Sequence, residues 1–327
     1  MDLLQPYIPY AWILVLVLVF LTYIVLDGLI SGIGILSFWI KDQKLLRDMT
    51  ESFSGVWHTH QTWLVLFAGL LFGSYPAVFG KVLSLLYLPV SLFILGFFTR
   101  GLAIEFLELK EPRRLWTFFY ALGSVIQTLS QAMVLVLILQ IIVFQALLFP
   151  AVPSMTTHLF TFGLSLILVF SYLLFGLIYL IQKTSGENQL LFYKLSSHTG
   201  MFLVATTILL LITLSLPKPQ HPFLLYSFLG LIVVSSLLFF RGIALKKGRV
   251  LLPLFLMCFL SLVAAYLTTY PKLLEALAAL PVFVASPRSQ FSLLIIFCIM
   301  LPVIILYNIL QYRVFRGKVD ENGKQNY

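Results

Sequence analysis

Apolar residues in this chain come in long blocks separated by short polar or charged seams. The blocks lie near 10 to 36, 62 to 80, 84 to 106, 116 to 148, 158 to 181, 199 to 216, 222 to 245, 250 to 270 and 291 to 314. Each approaches or exceeds the ~20 residues that carry a helix across a bilayer core of about 30 Å. In hydrocarbon the backbone can pair only with itself, so each block predicts a helix. The pattern therefore predicts an all-α, polytopic integral membrane protein with about nine transmembrane helices. Eight is the main competitor, since only Gly80 to Ser84 separates the second block from the third. The fourth block is too long for a perpendicular crossing and predicts a tilt, or a projection into water past Gln140 or Gln145. No loop is long enough to be a domain and no Gly/Ser-rich or Pro-rich linker interrupts the series, so residues 1–327 read as a single membrane domain.

Composition excludes the soluble classes. Of 327 residues, 61% are hydrophobic and 10% charged, and the mean hydropathy is +1.03. A water-facing surface cannot be built from such a chain. The basic residues then set the expected orientation. With the N-terminus on the periplasmic side, the cytoplasmic seams hold Lys41, Lys44, Arg47, Lys110, Arg113, Arg114, Lys183, Lys194, Arg241, Lys246, Lys247, Arg249, Arg313, Arg316, Lys318 and Lys324. The opposite face holds only Lys81, Lys218, Lys272 and Arg288. This imbalance predicts a periplasmic N-terminus and a cytoplasmic C-terminus. The formal charge of +9 is dispersed over loop ends, which suits anionic lipid and not nucleic acid. The first block starts after the acidic Asp2, without a basic n-region or small-residue cleavage site, so it is expected to stay as a helix. Cys258 and Cys298 fall within predicted helices and read as packing residues, implying neither disulfide nor zinc.

Polar groups in hydrocarbon cost several kcal/mol, roughly, unless paired or hydrated, which makes the few inside these blocks informative. Asp27 stands about 17 residues into the first helix, ~26 Å along it, near the expected cytoplasmic edge. Two readings are open: a helix-end carboxylate paired with a loop Lys, or a proton-relay or quinone-pocket group. Gly28-x-x-x-Gly32 beside it is a small-residue face that lets another helix approach. His58 and His60 flank Thr59 at the cytoplasmic entrance of the second helix, at about the depth of Asp27. They read as interfacial hydrogen-bonding groups, as a proton entry, or as a metal chelate. The chelate is disfavoured, since residues two apart on a helix diverge and no third ligand is evident. Gln61 can share a face with Trp57. Arg100 and Glu105 close the third helix, where an ion pair involving them competes with a catalytic role. His158, His198 and His221 fall at helix ends or loops, so no facing pair of axial haem ligands is expected. Paired broken helices, a Walker motif and catalytic-triad spacing are all lacking.

Taken in order, the motifs resemble a known family. Leu26-Asp27-Gly28-x-x-x-Gly32-x-Gly34, Val56-Trp57-x-x-x-Gln61-x-Trp63-Leu64, Leu71-Phe72-Gly73-x-x-Pro76, Tyr87-Leu88-Pro89, Arg100-Gly101-x-Ala103-x-Glu105-Phe106 and Arg114-Leu115-Trp116 with Gly123-Ser124 are similar to subunit II of the cytochrome bd-type ubiquinol oxidases. The match in order and spacing runs over about residues 22 to 128. Ser289-Gln290-Phe291-Ser292-Leu293, Leu301-Pro302-Val303-Ile304-Ile305-Leu306-Tyr307 and Tyr312-Arg313-x-Phe315-x-Gly317 resemble the family's last helix and tail, with Gly176-x-x-Tyr179-Leu180, Lys183-Thr184 and Gly186 between.

The resemblance implies a nine-helix subunit in a bacterial inner membrane, paired as a heterodimer with a subunit I that carries haem b and haem d and oxidises quinol with oxygen. It also implies that this subunit holds no catalytic residue or haem of its own, can hold a structural quinone, helps cytoplasmic protons reach the oxygen-reducing haem, and can sit beside a small accessory membrane subunit. Two departures stand out. The family's Asp-Gly-Phe-Asp-x-Gly is here Asp27-Gly28-Leu29-Ile30-Ser31-Gly32, and its Trp-Asp-Gly-Asn-Gln is Trp57-His58-Thr59-His60-Gln61. Only Asp27 carries over as a proton-path carboxylate, while His58 is a positional substitute for an acid. Asp27, His58, His60, Gln61, Arg100 and Glu105 are the resulting candidates for the proton route or subunit contact. The competing expectation is a diverged transporter or scaffold without oxidase chemistry.

Overall fold

A computed structural model describes residues 7–53, 55–109, 113–143, 155–213, 222–269, 284–315 and 317. Eleven helices are assigned here: α1 Ile8–Ser37, α2 Gln43–Glu51, α3 Trp57–Ser74, α4 Pro76–Leu85, α5 Tyr87–Leu109, α6 Arg113–Val143, α7 Met155–Lys183, α8 Gly186–Thr213, α9 Pro222–Ala244, α10 Gly248–Thr269 and α11 Pro287–Val314. The described part of every apolar block is helical over most of its length, with the block 62 to 80 divided between α3 and α4, and no strand occurs among the described residues. Gln145, His221, Lys110, Lys218, Lys272, Arg316, Lys318 and Lys324 lie outside the described residues, as do the side chains of Arg113, Gln140 and His158.

Among the described residues seven helices are long and apolar enough to cross a membrane, and α3 with α4 forms an eighth, bent candidate. The bend corrects the sequence expectation of one continuous helix from 62 to 80. At Tyr75 the axis turns by 117°, because Pro76 offers no N–H and disfavours helical geometry in the residue before it. Tyr75 has φ −133° and ψ 64°, and its hydroxyl donates to the Pro9 carbonyl at 2.6 Å. The freed end of α3 is served from far along the chain, where the Ala285 N–H donates to the Ser74 carbonyl at 2.8 Å.

Helix α1 is the organising element, packing against α3, α6 and α7. The small-residue face predicted at Gly28 and Gly32 seats it on α7. A Cβ on Gly32 would stand 1.8 Å from the Tyr172 carbonyl oxygen, and one on Gly176 would stand 2.6 Å from the Ile33 nitrogen. The two backbones therefore touch, an approach that only glycine permits. Glycine does the same between α5 and α6, where a Cβ on Gly123 would meet the Arg100 nitrogen at 2.6 Å. These two crossings bring the backbones of α1, α5, α6 and α7 close at one depth, and their side chains meet there.

Candidate functional site

Tyr23, Asp27 and Ser31 recur every four residues on α1 and so share one face. All three are fully buried. Helix α6 turns a matching stripe toward them, with Tyr120, Ser124, Gln127 and Gln131 spaced four, three and four apart, all buried. Arg100 enters from α5, and its side chain is 1% exposed against 0% for Asp27.

The guanidinium is the hub of the cluster. Its Nη2 donates to Asp27 Oδ1 at 2.5 Å, and its Nη1 donates to the Ser31 hydroxyl. The second carboxylate oxygen accepts from Ser31 Oγ at 3.1 Å and from Gln127 Nε2 at 3.2 Å. Gln127 Nε2 also donates to the Tyr23 hydroxyl at 3.0 Å. Tyr120 donates to the Ile30 carbonyl at 2.7 Å, and Tyr172 on α7 donates to Gln131 Oε1 at 2.7 Å. A buried charge is tolerated only when paired and hydrogen-bonded on its remaining valences. Here both ions meet that condition, so the site holds a compensated pair of charges inside the bundle.

Helix α3 adds a second row of buried polar groups beside the ion pair. His60 is fully buried and lies within electrostatic range of Asp27 and Arg100. Its Nε2 is 2.8 Å from the Tyr312 hydroxyl on α11, with the two rings stacked at 5.9 Å. One turn further, Trp63 Nε1 donates to Asn308 Oδ1 at 3.2 Å. Among the described residues, Thr59 Oγ1 and both amide atoms of Gln61 are buried without a hydrogen-bond partner. Each such group costs about 1–3 kcal/mol if left dry, so this row has the composition of a hydrated seam.

The six sequence candidates thus divide. Asp27 and Arg100 are paired at the crossing, His60 is buried within electrostatic range of them and Gln61 is buried next to it in sequence on α3, whereas His58 and Glu105 lie outside on the surface. His58 Nε2 is 3.3 Å from Glu105 Oε1, and these side chains are 64% and 47% exposed. The His58 ring also rests 3.9 Å from that of Trp57. One expectation is corrected here: Asp27 is paired with Arg100 rather than a loop lysine. Arg100 and Glu105 each take part in an ion pair, but with different partners, because five residues along a helix turn the side chain by about 140°. Of the two histidines, His60 is the one buried within electrostatic range of the carboxylate. Tyr23, Ser31, Gln127, Tyr120, Gln131, Tyr172 and Tyr312 were not singled out from sequence, although the stripe on α6 has a legible helical period.

No group of three or more His, Cys, Asp or Glu side chains suited to a metal ion occurs among the described residues. Haem iron needs axial His or Met from facing elements. His60 Nε2 is taken up by Tyr312, His58 leans on Glu105, and His198 Nδ1 bonds the Lys194 carbonyl of its own helix at 2.8 Å. These donors do not fit an axial pair. Outside the spans, burial pushes the Asp48 carboxyl on α2 above the usual carboxylate range, against the opposing pull of Lys44. Asp48 Oδ2 accepts from Asn188 at 3.2 Å while its Oδ1 is buried without a partner among the described residues.

Comparison with known proteins gives consistent results. A family profile described as cytochrome bd terminal oxidase subunit II matches residues 8–315. Cytochrome bd ubiquinol oxidase subunit 2 of Bacillus subtilis (strain 168) is 25% identical over 119 residues, 35% of either chain. Cytochrome bd-I ubiquinol oxidase subunit 2 of Escherichia coli (strain K12) is 28% identical over 122 residues, 36% of this chain and 32% of the relative. The matched part thus spans about a third of the length of these curated relatives. A chain in the solved structure of bd oxidase from Geobacillus thermodenitrificans shares the fold, with a TM-score of 0.72, 19% identity and coverage of 94% of this chain and 98% of that one.

Proposed function

This multi-span membrane protein belongs to the cytochrome bd terminal oxidase subunit II family, and on that premise we propose that it serves as the haem-free second subunit of a bacterial inner-membrane quinol:oxygen oxidoreductase. The observation that carries this reading is the buried Asp27–Arg100 pair with its shell of Ser31, Gln127 and Tyr23. Ionisable groups inside a membrane bundle are expensive and generally mark a route for ions or protons. The partner would be a haem-bearing subunit I that holds haem b and haem d and takes electrons from quinol to oxygen. This chain would supply a rigid polar interior and a path for protons from the cytoplasmic side.

In this reading Thr59, His60 and Gln61 line the entry and orient water toward Asp27. Arg100 fixes the carboxylate and balances its charge, while Gln127 and Tyr23 complete the hydrogen-bonded shell. His58 and Glu105, exposed on this chain, lie where a partner or the cytoplasmic solvent can reach them.

Affinity purification of the tagged chain from its native membrane tests the proposal, with a visible spectrum and quinol-driven oxygen uptake recorded on the product. The expected result is a haem-bearing partner at equal stoichiometry and oxygen uptake lost on its removal. A haem-free assembly without oxygen uptake would instead support a diverged scaffold or transporter, in keeping with the loss of acids at Ile30 and His58.

A further inference from the structure

We propose that a recess at the end of α1 binds the headgroup phosphate of an anionic membrane phospholipid. It lies between the C-terminal end of α1, the first turn of α2 and the first turns of α6, has a volume of 370 Å³, and is lined by Phe38, Ile40, Lys41, Gln43, Arg114 and Phe118 among others. That volume falls in the range of small-ligand sites, about 300–1,000 Å³.

Charge is the first reason. Lys41 comes from the loop after α1 and Arg114 from α6, so two separate elements bring cations to one recess. Neither side chain has an ion-pair or hydrogen-bond partner among the described residues. The acid next to Lys41, Asp42, caps α2 by accepting from the Lys44 N–H at 2.9 Å and forms no ion pair with Lys41 among the described residues. Of the helix ends at the recess, the N-terminus of α6 favours an anion, whereas the C-terminus of α1 opposes one and the N-terminus of α2 already carries the Asp42 carboxylate. Arginine offers a forked donor that suits phosphate oxygens, and lysine a compact point charge.

Apolar walls decide between a lipid and a free anion. Of the lining residues Phe38 is 57% exposed and Phe118 48%, and the neighbouring Trp39 and Leu115 are 64% and 47% exposed. Exposed aromatic and aliphatic groups at the end of spanning helices mark the level where headgroup meets acyl chain. A phosphodiester between Lys41 and Arg114 would thus have hydrocarbon surface beside it for its glycerol and chains. Basic pockets between helix ends take anionic headgroups on these grounds. The assignment is independent of the redox role and would hold for a scaffold as well.

The test uses the complex as purified from membranes, delipidated in neutral detergent and titrated with phosphatidylglycerol, phosphatidylcholine or inorganic phosphate, with bound lipid counted by native mass spectrometry. Phosphatidylglycerol should be retained in preference to phosphatidylcholine. Its affinity should fall roughly 30-fold in a Lys41→Gln/Arg114→Gln variant, given about one cation's attraction to an anionic headgroup for each residue removed. Lys41→Arg should keep it. Equal retention of phosphatidylcholine, an unchanged affinity in the double variant, or displacement by millimolar inorganic phosphate would each overturn the proposal. If the double variant does not assemble, the wild-type salt dependence decides instead. Phosphatidylglycerol binding that weakens as sodium chloride rises supports the site, and binding indifferent to salt refutes it.

Discussion

Neutralising one member of the buried ion pair should be far more damaging than neutralising both. At 2.5 Å and an effective dielectric constant near 20, the gross attraction between Asp27 and Arg100 is about 7 kcal/mol. Most of it is offset by the cost of removing two ions from water. Arg100→Gln leaves the Asp27 carboxylate in a fully buried position with only Ser31 and Gln127 as donors, and Asp27→Asn leaves the guanidinium without a counter-charge. Each single change should cost about 3–5 kcal/mol, the usual result of stranding a buried charge. The double change Asp27→Asn/Arg100→Gln removes both charges at once, so its cost should be well below the sum, with a coupling of at least about 2 kcal/mol. Fluorescence-detected denaturation of the four proteins in one detergent, read against the Trp and Tyr signal, supplies the cycle. Additive losses, or a single variant as stable as the parent, would refute the claim that these charges compensate one another inside the bundle.

Four further outcomes are expected. Gly32→Ala should abolish assembly, because its methyl group would lie 1.8 Å from the Tyr172 carbonyl oxygen, whereas Gly230→Ala, with open space around it, should express as the parent does; comparable membrane yields for the two would contradict the crossing. Tyr312→Phe should cost about 1–3 kcal/mol through loss of the partner of His60 Nε2, measured as a lower melting temperature. The Asp48 carboxyl is raised by burial, so the folded state holds its proton more tightly than the unfolded state. Stability from this group is present in acid and lost as pH rises through its folded value; Asp48→Asn should therefore stabilise the protein at neutral pH and leave the acid side unchanged, which thermal shifts across a pH series will show. Under the proton-route reading, His60→Phe should slow quinol-driven oxygen uptake more than His58→Ala does, and equal rates for both variants would remove the seam at α3 from the path.

The helical class and one pair of packing glycines were legible because both are written in short-range patterns. Apolar blocks give the spans directly, and Gly28 with Gly32 marks a face by spacing alone. Pro76 carried the signal for the sharp turn at Tyr75, yet hydropathy is blind to direction and joined α3 to α4. The site was harder. Asp27 and Arg100 were each visible as costly charges, but their pairing spans 73 positions and depends on which helices lie side by side. That lateral order comes from the backbone contacts at Gly176 and Gly123, which only the folded bundle displays. The stripe of Tyr120, Ser124, Gln127 and Gln131 was detectable in principle as a polar line on an otherwise apolar helix.

The link between α3 and α11 also constrains how the protein is made. Tyr312 and Asn308 meet residues 252 and 245 positions earlier, and Lys183 Nζ bonds the carbonyl of Phe315 just beyond α11. The ribosome must therefore release the final helix before the inner histidine gains its hydroxyl partner and the lysine its carbonyl. Nascent chains stalled or truncated ahead of residue 308 would sit in the bilayer with a polar seam open along one side, a natural target for membrane quality-control proteases.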